Sequence, residues 1–343
     1  MMLRKWFLAA LLCLAVAPAS AFLLRAAPGS SGVSTYTDFC SESYVSGACT
    51  YAYDLDQRLV STNTVPFQLT RLDNSAVINA GYTGSTFVVN VAALISACGG
   101  TTTTLTYSTQ YNNCVYTTVY DQNGTGCDLV SGGPSTTGTT HAPPFQVRLS
   151  DGLPAIIVSA QNPATSPAAK FLYQNGTPCS ELDGSVARTE ISRGNNAYFS
   201  GCCGQYGKIE TAPAPGNVPA GSMWATMLYH SGSLVSFTAD IEGGSSCASG
   251  ALTTLTPVVD FVGLTTYSST AAGSNQYFNN SLLSPANCAP ASTPNTQNGM
   301  VIGCSGDYTA CGPIYFRGMV FLNVDASLTA GLPTQIYNYL SAL

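Results

Sequence analysis

Charge is scarce in this chain: charged residues make up 8% of its 343 positions, against roughly 25% in ordinary soluble domains. Nucleic acids and anionic membrane surfaces are bound through basic patches. With Lys and Arg totalling 11 against 17 Asp and Glu, neither is an expected partner. Histidine is rarer still. His141 and His230 are the two present, with no second histidine at metal-ligand spacing, so no metal and no cofactor is expected. Also missing are a G-x-S-x-G elbow, a P-loop and a G-x-G-x-x-G opening a helix, which leaves serine hydrolase, nucleotide and dinucleotide chemistry without support. Beyond the amino-terminal apolar run, no stretch reaches the about 18 apolar residues that suggest a membrane-spanning helix.

What is present begins with export. Residues 1–21, "MMLRKWFLAALLCLAVAPASA", join Arg4 and Lys5 to a short apolar run and then to Ala19 and Ala21. That is the pattern of a cleaved secretory signal, so a mature, secreted chain is expected to begin near Phe22. Cleavage takes Cys13 from the 13 cysteines and leaves 12, an even number suited to disulfides in an oxidising compartment. It also takes Arg4 and Lys5, moving the net charge from −6 to −8. Three sequons, at Asn123, Asn175 and Asn279, fit surface loops of an exported protein.

Hydrophobic residues account for 45% of the chain, enough for a large core, and polarity comes from Ser, Thr, Asn, Gln and Gly. Short β-branched or aromatic runs recur: "STFVVNVAAL" (85–94), "CVYTTVYD" (114–121), "AIIVS" (155–159), "SLVSFTADIE" (233–242) and "IYFRGMVF" (314–321). Gly, Pro and Ser clusters separate them. The expected fold is all-β, an antiparallel β-sandwich with long loops. Only "LPTQIYNYLSAL" at the end has helical spacing, with Ile336, Leu340 and Leu343 on one face. The stretches 131–144 and 212–222 read as loops, and neither separates regions of different composition. Residues 22–343 are therefore expected to form one domain, a monomer.

With other chemistries set aside, carboxylates remain, most of them among turn residues, and a secreted β-sandwich with acid residues raises glycoside hydrolysis. In "SFTADIEGG" (236–244), strand alternation places Phe237, Ala239 and Ile241 on one face and Thr238, Asp240 and Glu242 on the other. Two carboxylates at i and i+2 on a shared face suit either a solvated surface or an active-site cleft, where their repulsion raises one pKa. A second place is "VIGCSGDY" (301–308), an apolar strand running into Gly306 and Asp307, where loops carry chemistry.

These segments resemble, in order along nearly the whole mature chain, the fungal α-L-arabinofuranosidases of glycoside hydrolase family 54. The resemblance is carried by "CSESYVSGAC", "DQRLVS", "PFQLTRLDN", "VYTTVYDQNGTG", "GCCGQYGKIET", "FTADIEGG" and "GCSGDYTACGPIYFRGMVF"; the adjacent cysteines and the A-D-I-E and G-D segments are its most specific elements. It implies a concanavalin-like, jelly-roll sandwich and a retaining hydrolase acting on arabinose-containing polysaccharide. By the same resemblance Glu242 is the nucleophile and Asp307 the general acid/base. Asp240 binds the arabinose, and Cys202 and Cys203 form a vicinal disulfide lining the pocket. Met223, Gly243 and Gly306 fall at further pocket positions, Gly243 standing where the family has asparagine. The family's pocket tryptophan has no counterpart between Tyr229 and Phe237. The carboxy-terminal arabinose-binding trefoil is not expected, because the sequence stops at Leu343.

The resemblance also implies the pairs Cys40–Cys49 and Cys98–Cys114. Proximity suggests Cys127–Cys179, Cys247–Cys288 and Cys304–Cys311 for the rest. The alternative function is a non-catalytic carbohydrate-binding or wall-associated protein on the same fold. Absence of Glu242 or Asp307 would have favoured it, and both are present.

Overall fold

Strand formation follows the β-branched and aromatic runs. The computed structural model describes residues 36–99, 108–133, 136–137, 142–148, 151–158, 172–175, 179, 187–195, 204–209, 223–231, 234–241, 246–248, 260–268, 275–283, 299–302 and 314–343. The first strands are β1 (Cys49–Asp54), β2 (Phe67–Arg71), β3 (Val77–Asn79), β4 (Tyr82–Thr83), β5 (Val88–Val89), β6 (Ser108–Val119), β7 (Leu129–Gly133) and β8 (Thr136–Thr137). There follow β9 (Pro144–Arg148), β10 (Pro154–Val158), β11 (Leu172–Asn175), β12 (Ala187–Asn195), β13 (Gly204–Ile209), β14 (Met223–Ser231) and β15 (Leu234–Ile241). The last are β16 (Ser246–Ala248), β17 (Asp260–Ser268), β18 (Gln276–Phe278), β19 (Ser281–Leu282), β20 (Gly299–Ile302) and β21 (Ile314–Leu322). The α-helices among the described residues are α1 (Val91–Ala97) and α2 (Leu332–Ser341).

All described pairings are antiparallel, as expected. The longer sheet runs β3-β2-β6-β7-β11-β20-β13-β14-β15-β16, with β9 sharing one edge of β6 with β7. The other runs β19-β18-β17-β12-β21, and β1 and β10 divide the far edge of β21 between them. Strand β10 also pairs with β9, so it ties the two sheets together.

The central strands of the second sheet are buried on both faces. From β1 and β21, Tyr51, Tyr53, Met319 and Phe321 enter the core shared with Phe67, Leu69, Leu172 and Ile302 of the longer sheet. The alternate residues Ala52, Val320 and Leu322 point the other way, into a second core with Phe39, Leu332, Ile336 and Leu340. Helix α2 thus caps the sandwich from outside, with the predicted Ile336 and Leu340 buried and Leu343 packed beside them. Double burial is why "IYFRGMVF" reads as a nearly continuous apolar run rather than an alternating one.

Two local expectations need correction. "STFVVNVAAL" is not one strand: Val88–Val89 is a two-residue strand, and Val91–Ala97 is helical. Asn90 caps that helix, its side-chain oxygen accepting from the Ala93 N–H at 3.2 Å, and this offers the backbone a helical start that the valine-rich composition hides. The stretch 131–144 is not all loop, because Gly132–Gly133 pair with Thr136–Thr137 in a short hairpin.

Disulfides join Cys40 to Cys49, Cys98 to Cys114 and Cys127 to Cys179. The other proposed pairs involve cysteines outside the described residues. Cys127–Cys179 closes the longest of these loops, 52 residues, and both cysteines are fully buried. In the loop-entropy view, replacing both with serine costs roughly 4 kcal/mol. Urea unfolding of the Cys127→Ser/Cys179→Ser variant checks this, and a loss under 1 kcal/mol would contradict it.

Candidate functional site

A single row of paired residues crosses the longer sheet. It runs Asn79, Gln68, Thr118, Val130, Tyr173, Val301, Gly207, Ala225, Asp240, Ser246, each opposite the next. Among its members with described side chains, Gln68, Thr118, Val130 and Tyr173 are half-buried and Asn79 is exposed. The neighbouring row contains Leu172, Ile302, Tyr206, Thr226 and Ala239, and its Leu172 and Ile302 are fully buried. Successive residues on a strand face opposite ways, so rows alternate between the core and the outer face. Asp240 is in the backbone register of an outer row.

The predicted site residues divide accordingly. Asp240 lies in β15 opposite Ala225, and Met223 opens β14 opposite Ile209. Glu242 and Gly243 follow directly on Ile241, the last residue of β15, whose row holds Trp224, Lys208 and Met300. Glu242, Gly243, Cys202, Cys203, Gly306 and Asp307 themselves lie outside the described residues. Their chain neighbours fix where each segment joins the sheet: Cys203 precedes Gly204 of β13, and Asp307 follows Ile302 of β20 by five positions. Strands β20, β13, β14 and β15 are consecutive neighbours, so every predicted site residue belongs to one of four adjacent strands or to a segment joined to one.

At the other side of the same sheet is a feature that the sequence reading missed. An open groove of about 380 Å³ is lined by Asn63, Asn79, Tyr120, Asp121, Gln122 and Asp128, among others. Its floor is the turn after β6. Asp121 accepts from the backbone N–H groups of Ala52, Asn123 and Thr125 and from the Thr125 hydroxyl, at 2.6–3.1 Å. Gln122 donates to the carbonyls of Asp54 and Gln57, and its own oxygen accepts from the Leu59 N–H. These two side chains are engaged in closing their own turn and in tying it to β1 and to Gln57 and Leu59 beyond it, which gives the Y-D-Q turn a structural task. Asn123, the first sequon asparagine, likewise donates to the carbonyls of Cys49 and Thr50.

The rim differs. Asp128 accepts from the Asp121 N–H at 2.9 Å through one oxygen, and partial burial pushes its carboxyl up, opposed by that hydrogen bond. The Tyr120 hydroxyl and the Asn79 side-chain oxygen both accept from the Gln68 amide, at 3.2 and 3.1 Å.

A second unanticipated cluster is charged and buried. Asp56 meets Arg148 at 3.1 Å, Arg317 at 2.8 Å and Arg193 at 3.4 Å, while Arg193 also pairs with Asp54. The network reaches the surface through Asp151 on Arg148, 2.7 Å, and Asp260 on Arg317, 2.9 Å. Asp54, Gly318 and Arg193 stand in one row across β1, β21 and β12. A Cβ at Gly318 would lie 2.6 Å from the Asp54 carboxylate and 2.8 Å from the Tyr53 carbonyl oxygen; glycine there leaves room for the ion pair to close across β21. Burial pushes Asp54 up, with Arg193 opposing and Asp56 adding to the rise. For Asp56 the burial penalty is outweighed by Arg148, Arg317 and Arg193, which hold its carboxyl below the ordinary range. The signal in the sequence was arginine inside apolar strands, in "PFQVR", "EISRG" and "YFRGM".

No family model and no curated protein matches the sequence. Solved structures do match in fold. A glycoside hydrolase family 54 α-L-arabinofuranosidase soaked with a cyclic sulfate inhibitor superposes with a TM-score of 0.65 at 16% identity, over 86% of this chain and 62% of that one. An arabinofuranosidase complexed with arabinofuranosyl-α-1,2-xylobiose gives 0.64 at 16%, with the same coverage. A Glu-to-Gln variant of a family 54 enzyme soaked with 4-nitrophenyl α-L-arabinofuranoside gives 0.64 at 15%. The chain has a family 54-like fold. It spans about 62% of the length of these structures.

Proposed function

We propose that this chain is a secreted, retaining glycoside hydrolase that releases terminal α-L-arabinofuranosyl residues from arabinose-containing polysaccharide. The observation that carries the reading is the register of Asp240. On a fold like that of family 54, it lies in an outer row of the longer sheet, two residues before Glu242.

In this reading the Glu242 carboxylate attacks the anomeric carbon while Asp307 protonates the departing glycosidic oxygen. Asp307 then takes a proton from water, which attacks the same carbon and returns the Glu242 carboxylate. Retaining pairs work with the two carboxyl groups about 5–5.5 Å apart. Asp240 would bind sugar hydroxyls, and a Cys202–Cys203 disulfide would offer a flat sulfur surface without rotamer entropy to lose.

A panel of 4-nitrophenyl glycosides of pentoses and hexoses tests the proposal. Release from the α-L-arabinofuranoside, well above that from the others, is the expected outcome. A folded protein that releases nothing from any furanoside would favour the non-catalytic carbohydrate-binding reading instead.

A further inference from the structure

The groove beside Tyr120 and Asp128 lies on the same sheet as Asp240 and near the same end of its strands. Tyr120 directly follows Val119 of β6, and Asp128 directly precedes Leu129 of β7, which is Val119's partner. Two residues along from the row of Asp240, the sheet therefore leads from Tyr120 and Asp128 through Asn175, Gly299 and Ile209 to Met223 and the position after Ile241. Asn79 stands in the row of Asp240 itself. From β7 to β15 is five strand spacings, roughly 24 Å along the sheet, too far for one sugar and within reach of a chain of several.

The chemistry of the groove is selective. Among the described residues its lining has no Lys, Arg or His, and the side chains of Val65 and Tyr120 stand there among polar neighbours, so it suits neither an anion nor a lipid chain. A metal ion is disfavoured by Asp121, whose two oxygens already accept four hydrogen bonds, and no cluster of three His, Cys, Asp or Glu able to hold a metal occurs among the described residues. The Asn79 side-chain N–H groups, the Tyr120 hydroxyl hydrogen and the second oxygen of Asp128 make no hydrogen bond among the described residues. Two donors and an acceptor beside a half-buried aromatic ring match the mixed donor and acceptor hydroxyls of a neutral sugar, with the ring available to an apolar sugar face.

We propose that this groove is a remote carbohydrate subsite, which holds a neutral polysaccharide backbone some distance from the bond that is cut. The placement relative to cleavage rests on the hydrolase reading above; the binding itself does not.

Affinity electrophoresis of the full chain through gels containing arabinoxylan tests it. Wild-type protein should be retarded. The double variant Asn79→Ala/Tyr120→Phe keeps the aromatic ring and removes two hydroxyl-reading groups, and its apparent dissociation constant should rise about tenfold, with an unchanged unfolding midpoint as the check on folding. A wild-type protein that is not retarded, or a folded double variant retarded as strongly as wild type, overturns the proposal. The nitrophenyl panel is read separately. A chain that turns over no furanoside but loses retardation in the double variant keeps the subsite and rejects the hydrolase.

Discussion

Glu242→Gln should reduce arabinofuranoside turnover by about 10³-fold or more while leaving the unfolding transition in place. Glutamine keeps the size and part of the hydrogen bonding of glutamate but cannot form the glycosyl ester, so both halves of a retaining cycle fail together. Asp307→Asn should behave differently, because general acid and base assistance is worth about 10²- to 10⁴-fold and is needed unequally. A nitrophenolate departs with little protonation, so the first step survives and the glycosyl-enzyme accumulates. Azide needs no base; it attacks the anomeric carbon, displaces the Glu242 carboxylate and gives an azide of the same α configuration as the substrate. The measurements are steady-state rates for both variants, with and without azide, and the anomeric configuration of the azide product by proton NMR. Near-normal turnover by Glu242→Gln, or an inverted azide from Asp307→Asn, would show that the roles have been carried to the wrong residues.

The strands were legible because their side chains are β-branched or aromatic and their ends are marked by Gly, Pro and Ser. The run "IYFRGMVF" became β21, and "LPTQIYNYLSAL" contains α2, whose face carries Ile336 and Leu340. Helix α1 was not legible from composition, since Val88 and Val89 extend the apolar run into it; Asn90 was the one local sign of a helix start. At the candidate site, alternation in "SFTADIEGG" separates Ala239 from Asp240, and the strand register continues that alternation across the sheet. The groove was beyond a linear reading. Its rim joins Asn79, Tyr120 and Asp128, which meet only because β2 pairs with both β3 and β6, and β6 with β7. The same holds for Asp56 and its three arginines, which are brought together from four segments far apart in the chain.

Asp56→Asn should destabilise the fold by about 3–5 kcal/mol, because it leaves buried guanidinium groups without their shared carboxylate. Asparagine is nearly isosteric, so the cost is electrostatic rather than a cavity, and it falls at the junction between sheets: Arg148 ends β9, whereas Arg193 and Arg317 lie in β12 and β21. The pH dependence gives the direction. The folded-state pKa of Asp56 is depressed, so its stabilising contribution is fully present above the unfolded carboxylate value of about 3.9 and is lost as the pH falls through the lower folded value. Asp54 acts oppositely: its folded-state pKa is raised, so its contribution is present below the unfolded value and is lost as the pH rises through the folded one. Asp56→Asn removes the first of these linkages, and its stability should fall less steeply than wild type's on acidification. Urea unfolding at a series of pH values from neutral to acid measures both effects. A variant as stable as wild type at neutral pH, or one with an equally steep acid limb, would mean that Asp56 is not what holds the three arginines in the interior.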